Sequence, residues 1–350
     1  MKYLSLLPLY MTACTHSYTH EPNVPQTEFH PFEPCSGQIV QTYPYPQDSS
    51  MYYRGQLEVE LSEPDQNATL SLQDGMGQTI DGTQEIEGTF VRFTPNTPLE
   101  PLQKYLANIE YCGSAEPVAL PFETSDLGTP LDNGIDDVLY KTYAFDISSG
   151  RIAEPLGVGE ALRSLLQNTF LIQVQDVQGE QLHIRSALSN AGNLEQNYCV
   201  PTLEDFPQID FSQAPYFELV EQDISIQIGG YKTTIYSLSV SGVFVSDGSK
   251  FTQVQGRGSF DGRELYPIMS DFGFTLNSAH DFCDLLSNFD VLCLPCKDDA
   301  PYCFELALDM LEAYQIDLDI DPVCAENCHS ECFANNNSCD LAQTDTQMCD

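Results

Sequence analysis

Between residues 35 and 125, apolar and polar residues alternate in short runs that are separated by turn residues. Leu57–Leu61 alternates strictly and stops at Pro64, and Thr69–Gln73 follows. Later runs of the same kind are Phe90–Phe93, Tyr105–Ile109 and Phe122–Thr124. A period of two predicts strands with one buried face. Short strands at this spacing indicate an antiparallel β-sandwich.

A second β-rich domain is predicted over residues 138–291, after an acidic linker at 126–137. Its predicted strands are Val138–Ile147, Thr169–Val177, Gln181–Ala187, Ile224–Ile228 and Thr233–Val245, with a hairpin turn at Asp247-Gly248 and a looser alternation over Gln253–Phe260. One stretch, Glu160–Leu166, has helical periodicity. This order favours a barrel or curled sheet with one short helix. The apolar residues of Ser212–Val220 would either line a cavity in it or fill its core.

Residues 292–350 form a cysteine-rich C-terminal segment, for which we expect a small disulfide-stapled cap. Phe304, Leu308 and Leu311 recur at helical spacing, so a helix is predicted over Phe304–Tyr314. The alternation in Asp317–Asp321 is typical of a strand. The fold class is therefore mainly β, with a sandwich, a barrel-like domain and this cap.

The first fourteen residues have the layout of an export signal. A single charge at Lys2 precedes a short apolar run, Tyr3–Met11, which is too short to span a membrane. The run ends in Met11-Thr-Ala-Cys14, which resembles the lipobox of bacterial lipoproteins. The resemblance implies cleavage after residue 13, acylation of Cys14 and anchoring to a membrane. The alternative is an ordinary signal peptide that is cut elsewhere, with plain secretion. Residues 14–34, rich in proline, would then be a tether.

Cysteine usage agrees with export. The chain has 13 cysteines, so lipidation of Cys14 leaves an even number for disulfides. An exported chain dense in cysteine is typical of a disulfide framework. The candidates are Cys35, Cys112, Cys199, Cys283, Cys293, Cys296, Cys303, Cys324, Cys328, Cys332, Cys339 and Cys349.

The sandwich region resembles bacterial Ig-like domains of surface-layer and other extracellular proteins. The residues that carry the resemblance are Leu57–Pro64, Phe93-Thr-Pro95 with Pro98-Leu99 and Tyr105, and Phe122-Glu-Thr124. Ser62, where the family has an aromatic residue, and the pair Cys35 and Cys112 depart from its pattern. A disulfide between those two cysteines would connect the segment before the first predicted strand to the strand that ends at Tyr111. Such domains act as spacers or adhesion modules, so the resemblance implies no enzyme.

The formal net charge of −39 excludes a nucleic-acid partner, because no basic stripe is present to replace counterions. It suits a salty exterior in which acidic surfaces stay solvated. After the signal, no apolar run is long enough to form a membrane-spanning helix.

No catalytic constellation is found in the sequence. Gly256–Gly262 matches neither a nucleophile elbow nor a phosphate loop, so a bulged strand or turn is expected there. His183 and His280 are the histidines of the second domain. His280 lies near Cys283 in sequence and could activate its thiolate. In an oxidising compartment Cys283 is instead expected to be bridged, with Cys199 as a possible partner.

The metal and redox motifs also fail. Cys293-Leu-Pro-Cys296 has redox spacing but no βαβ context. Asp317–Asp321 imitates an EF-hand, but Pro322 and Cys328 replace its glycine and glutamate. Asp132, Asp136 and Asp137 could hold Ca²⁺ but lack EF-hand spacing, and His16, His20 and His30 are scattered through the tether. We expect no metal and no cofactor.

The sequence thus predicts an exported, lipid-anchored protein of the bacterial cell envelope, at the outer membrane, without catalytic activity. Its role would be structural or binding, as in adhesion or scaffolding, with other envelope proteins or polysaccharide as partners. The alternative is a carrier of a hydrophobic small molecule in the second domain. A third class, an envelope hydrolase, lacks a nucleophile–base pair.

Overall fold

A computed structural model describes residues 36–145, 150–154, 169–203, 208–228, 231–267, 269, 273–289 and 291–323. The described residues from Gly37 onward belong to one compact unit. The signal, the tether with Cys14, the helical stretch Glu160–Leu166, Cys35 and the cysteines from Cys324 onward lie outside the described residues.

The N-terminal strands form a β-sandwich of two four-stranded antiparallel sheets. The strands are β1 (Ile39–Tyr43), β2 (Leu57–Leu61), β3 (Thr69–Asp74), β4 (Thr79–Ile80), β5 (Gly82–Glu87), β6 (Phe90–Pro95), β7 (Lys104–Glu110) and β8 (Val118–Glu123). Their order is β1-β2-β6-β5 in one sheet and β4-β3-β7-β8 in the other. Alternate residues such as Leu57 and Val59 of β2 meet Leu72 and Ile109 of the other sheet in one core. The predicted alternation of buried and exposed positions is confirmed.

The second part of the chain is a closed eight-stranded antiparallel barrel. Its strands are β9 (Thr142–Phe145), β11 (Phe170–Gln178), β12 (Gln181–Leu188), β13 (Ile209–Asp210), β14 (Tyr216–Ile228), β15 (Tyr231–Phe244), β16 (Lys250–Asp261) and β17 (Cys303–Ile316). Each strand pairs with its neighbour in chain order, and β17 pairs with β9 to close the barrel. A short strand, β10 (Arg151–Glu154), pairs with β17 beside β9. The mainly β fold with a barrel is confirmed.

The helix predicted over Phe304–Tyr314 is wrong, because these residues belong to strand β17. Leu306, Leu308 and Leu311 all line the barrel interior. Leu308 and Leu311 lie opposite Gly256 and Val254, so β17 gains one residue relative to β16. This bulge places inward residues three apart and imitates helical spacing. The strand predicted over Asp317–Asp321 is also wrong, since this stretch pairs with no strand in the described structure.

The residues between β16 and β17 form a segment, 262–302, which we call the capping segment. It contains helices α1 (Gly262–Leu265) and α2 (Ala279–Ser287). Phe282 of α2 packs on Phe304, whose ring also stacks on Phe260 of β16 at 5.7 Å. The segment therefore packs against the barrel end where β16 ends and β17 begins, which we call the upper end.

Two disulfides hold the capping segment, Cys283–Cys293 and Cys296–Cys303. Cys283 is bridged, as expected, but its suggested pairing with Cys199 is wrong, because a local loop brings Cys293 to it. Cys112 and Cys199 each take part in a further disulfide, but they are not bonded to one another. No helix within the described residues is long and apolar enough to cross a membrane.

The sandwich contacts the lower end of the barrel, where the turns after β11 and β15 lie. Arg54 donates a hydrogen bond to the side chain of Gln213, and its guanidinium lies 3.7 Å from the ring centroid of Tyr216. In the linker, Asp132 N–H donates to the carbonyl oxygen of Ser246 at 2.8 Å. These contacts help to fix the orientation of the barrel.

Candidate functional site

The barrel encloses a cavity of about 290 Å³. Every one of the eight strands contributes side chains to its wall, because alternate residues of each strand face the interior. Most lining residues are aliphatic or aromatic; Leu182, Ile184, Leu219, Val240, Leu306 and Leu308 are examples. Sites for small molecules in proteins are typically concave, largely apolar and of a few hundred cubic ångströms. The cavity is the leading candidate site among the described residues.

Four aromatic rings, those of Tyr143, Phe217, Phe244 and Phe251, close the lower end of the cavity, and we call them the aromatic floor. Their centroids lie 5.2 Å apart for Tyr143 and Phe251 and 5.3 Å apart for Phe217 and Phe244. Tilted and edge-to-face contacts at these distances are favourable for aromatic pairs. The floor is thus packed, and the free volume lies above it.

Two glycines of β16 shape one side of the cavity. A Cβ added at Gly256 would meet only the carbonyl oxygen of Ser239, 4.0 Å away. A Cβ added at Gly258 would lie 2.6 Å from Cγ2 of Ile235. The space beside Gly256 is therefore open, whereas Gly258 permits close packing of β15 on β16. A larger residue at position 256 would project into the cavity.

Polar groups are few in the lining. The hydroxyl of Tyr143 already donates to the carbonyl oxygen of Gly248 at 2.9 Å. Arg257 lies between the two glycines and is exposed, and its cross-strand neighbours Ser239 and Ala307 do not line the cavity. Alternation turns the Arg257 side chain outward with theirs, so that its backbone forms the lining. The lining hydroxyl that remains is that of Ser186.

The sequence located part of this site. Within Ser212–Val220, Phe217 and Leu219 line the cavity, as that hypothesis required. Gly256–Gly262 lies on β16 and the start of α1, in agreement with the expected strand. The open space beside Gly256 was missed, and two glycines alternating in a strand were the available signal.

The candidate catalytic residues lie apart from one another. His183 faces the outside of β12 opposite Asp176, and its Nε2 atom is buried without a hydrogen-bond partner. His280 is the second residue of α2, is exposed, and its Nε2 atom lies 3.7 Å from a carboxylate oxygen of Asp284. Neither histidine donates to or accepts from a serine or a thiol within the described part of the chain. They form no nucleophile–base pair there.

Three of the acidic residues considered as metal ligands, Asp137, Asp319 and Asp321, accept hydrogen bonds from other residues. Asp137 accepts hydrogen bonds from the backbone and side chain of Asn133, which lower the pKa of its carboxyl group. Asp319 accepts from Gln173, and Asp321 accepts from Tyr198.

One group with metal-ligand proximity occurs in the described residues, formed by Asp261, Cys296 and Cys303. The two cysteines are bonded to each other. Asp261 is held by a salt bridge from Arg263. The sulfur atoms of this group are therefore not thiolates, which are the form that binds metal.

A second hollow, of about 430 Å³, lies at the lower end of the barrel. It is lined by the linker residues Leu131 and Ile135, by the β11–β12 turn at Gly179, and by Phe211 and Ala214. Its wall is made mainly of turns and linker, and Val177 of β11 is the lining residue that belongs to a strand. It is less enclosed by regular structure than the barrel cavity.

Comparisons with known proteins identify no family. No family model matches the chain, and no curated protein matches it. Among solved structures, L,D-transpeptidase 1 of Mycobacterium tuberculosis aligns with a TM-score of 0.22 and 11% identity over 45% of this chain and 86% of that one. An uncharacterized protein of Listeria monocytogenes, crystallised with glucose, magnesium and calcium, aligns with a TM-score of 0.17 and 10% identity. That alignment covers 80% of this chain, which spans only 30% of the Listeria protein. Similarities this weak support no inference about activity.

Proposed function

We propose that the protein binds an apolar small molecule in the barrel, and that it does so as an exported, lipid-anchored protein without catalytic activity. The observation that carries the binding proposal is the cavity of about 290 Å³ above the aromatic floor. Moving apolar surface from water into such a site is favourable by roughly 25 cal/mol per Å². An enclosed apolar cavity therefore suits a ligand that dissolves poorly in water.

The exported location is supported by the signal-like residues 1–13, by the lipobox resemblance at Cys14 and by the disulfides. Disulfides persist in oxidising compartments and are rare in the cytosol. A binding role without catalysis is supported by two observations on the described residues: neither His183 nor His280 forms a hydrogen bond with a serine or a thiol, and Cys283 is bridged to Cys293.

The test is binding of a neutral fluorescent probe, N-phenyl-1-naphthylamine, to the full chain and to the variant Gly256→Leu. The leucine side chain enters the open space beside Gly256 and competes with the probe for it. We expect saturable binding to the wild type with one probe per chain, and at least tenfold weaker binding to the variant. Gln255→Leu is the matched control, because Gln255 is exposed on the same strand and does not line the cavity.

Equal affinity of the wild type and Gly256→Leu would contradict the proposal, as would the absence of saturable binding to the wild type. Circular dichroism of each variant establishes that the barrel has formed. If Gly256→Leu fails to fold, Gly256→Val is the smaller replacement with the same expected direction.

A second candidate is the adhesion or scaffold role, which an exposed apolar surface on the capping segment favours. Phe289, Leu292 and Leu294 are exposed, and Leu292 has 74% of its surface accessible. Exposed apolar residues that lie together often mark protein-binding sites. Leu292→Ser combined with Leu294→Ser should then reduce retention of the protein on immobilised envelope proteins, while Met76→Ser, an exposed residue of the sandwich, should not. Unchanged retention would exclude this surface.

A further inference from the structure

We infer that the ligand is a neutral molecule with a hydrocarbon body and one hydrogen-bonding oxygen, and that Ser186 is the residue that recognises this oxygen. The inference rests on the proposed function of the barrel cavity. The ligand then belongs to a defined chemical class, and Ser186 determines the specificity of the cavity for it.

The size and lining of the cavity define the hydrocarbon body. Its volume of about 290 Å³ equals roughly ten water molecules at ~30 Å³ each. A ligand of about ten to fifteen non-hydrogen atoms fills it. The aromatic floor and the aliphatic walls offer such a body only van der Waals contacts. Tyr143 is the one floor residue with a hydroxyl, and that hydroxyl already donates its hydrogen bond to the carbonyl oxygen of Gly248.

The lining offers no charged side chain to a ligand. Arg257, the one charged residue that contributes to the lining, is exposed, and strand alternation directs its side chain away from the cavity side of Gly256 and Gly258. A carboxylate or an ammonium inside the cavity would be desolvated without a partner of opposite charge in the described wall. That transfer is costly, so the cavity discriminates against ionised ligands.

Ser186 provides the polar contact. Leu182, Ile184 and Ser186 are alternate residues of β12, and all three line the cavity. The backbone N–H and carbonyl of Ser186 are bonded to Leu203, at 3.0 and 2.9 Å. Its hydroxyl has no hydrogen-bond partner among the residues that the structure describes, and it can both donate and accept. A ligand hydroxyl or carbonyl oxygen beside it would form one hydrogen bond.

The experiment displaces the fluorescent probe from the full chain with compounds that share a ten-carbon chain: 1-decene, 1-decanol, decanoate and decylammonium at pH 7. We expect 1-decanol to bind more tightly than 1-decene, and both ions to bind at least tenfold more weakly than 1-decanol. Ser186→Ala should weaken 1-decanol about three- to tenfold, because it removes one hydrogen bond. It should leave the affinity for 1-decene unchanged.

Ser239→Ala is the matched control, since Ser239 lies on the outer face of β15 and does not line the cavity. The inference is overturned if decanoate or decylammonium binds as tightly as 1-decanol. It is also overturned if Ser186→Ala weakens 1-decanol and 1-decene equally, which would indicate a packing role alone. Failure of the probe and of every compound to bind the wild type would instead refute the proposed function.

Discussion

Tyr143 donates a 2.9 Å hydrogen bond to the carbonyl oxygen of Gly248, 105 residues later in the chain. Tyr143 lies on the first barrel strand, and Gly248 lies in the turn between β15 and β16. The backbone of Gly248 has a φ of +65°, and a Cβ there would lie 2.0 Å from the carbonyl oxygen of Asp137. This contact therefore joins the linker, the turn and the aromatic floor at the lower end of the barrel.

Tyr143→Phe should destabilise the protein by about 1–2 kcal/mol, because the carbonyl oxygen of Gly248 loses its buried donor. The ring and the aromatic floor remain, so probe affinity should change little. Urea unfolding of both proteins measures the first effect, and probe titration measures the second. A loss of probe affinity as large as that of Gly256→Leu would show that the hydroxyl, and not the ring, matters for the floor.

Stability should fall at alkaline pH, in part through Tyr143. Burial raises the pKa of its hydroxyl above the ordinary value of 10.0. The unfolded chain therefore loses this proton at lower pH than the folded chain. The stabilisation that this difference in pKa gives the folded state is fully present below pH 10 and is lost as the pH rises through the pKa of the folded state. Over that range the free energy of unfolding falls by up to about 1.4 kcal/mol per pH unit for this group.

The measurement for this pH effect is the urea midpoint from pH 8 to pH 11.5. Tyr143→Phe should show a shallower decline than the wild type above pH 10, because one such group is missing. Identical slopes would contradict the prediction. Tyr52→Phe offers a comparison in the sandwich, since burial also raises the pKa of Tyr52.

Leu311→Ala should enlarge the cavity and destabilise the barrel by about 2–5 kcal/mol. Leu311 is only 1% exposed and lines the cavity from β17. Its neighbour Met310 is 59% exposed, so Met310→Ala is the matched control and should change stability by less than about 0.5 kcal/mol. Urea unfolding compares the two variants, and equal losses would mean that β17 does not face the interior as described.

Replacing both Cys296 and Cys303 by alanine should lower the free energy of unfolding by about 2–3 kcal/mol, according to the loop-entropy relation for so short a loop. The two cysteines are separated by seven positions in the sequence, and their disulfide joins the capping segment to the start of β17. Amide exchange should rise first around α2. Replacing Cys283 and Cys293, which lie ten positions apart inside the segment, should increase amide exchange at α2 but not in β17.

Intact mass spectrometry of the protein from bacterial membranes should give a mature chain that begins at Cys14 and carries acyl groups. Alkylation without reduction should detect no free thiol, since the 12 remaining cysteines would all be paired. A chain that retains residues 1–13 would refute the lipid-anchor proposal. Cys14→Ser should release the protein from the membrane fraction.

Five sandwich strands, β2, β3, β6, β7 and β8, were predictable because each buries one face, so that local alternation and burial coincide. Strands β1, β4 and β5 were not predicted, and among their residues only Thr42 is buried. Leu57–Leu61 was assigned residue for residue. Strand β17 was not predictable in this way. Met310 has a φ of +55°, and the bulge around it shifts the inward positions out of a period of two. Many residues of this strand, such as its leucines and alanines, are also good helix formers. Helix propensity and the three-residue spacing of the apolar positions therefore both indicated a helix where the structure has a strand.

The cavity could be suspected from sequence but not located. A core and a ligand site use the same apolar residues, and their difference is the volume left unfilled. That volume depends on Gly256 lying opposite the aliphatic residues of distant strands, which requires the register of the whole barrel. Ser186 had no sequence signal, because a serine near the end of a strand is common.

The pairing of β9 with β17 has a consequence for the biosynthesis of the chain. Thr142 of β9 pairs with Ile316 of β17, so the barrel can close only after residue 316 has been synthesised. Contacts this distant in sequence are associated with slow folding. The sandwich, by contrast, has all its strands by Glu123 and can fold while the rest is still being synthesised or exported. A truncation before Cys303 should thus leave a folded sandwich attached to an open, aggregation-prone sheet. Addition of β17 is therefore the step that converts an aggregation-prone fragment into a folded protein.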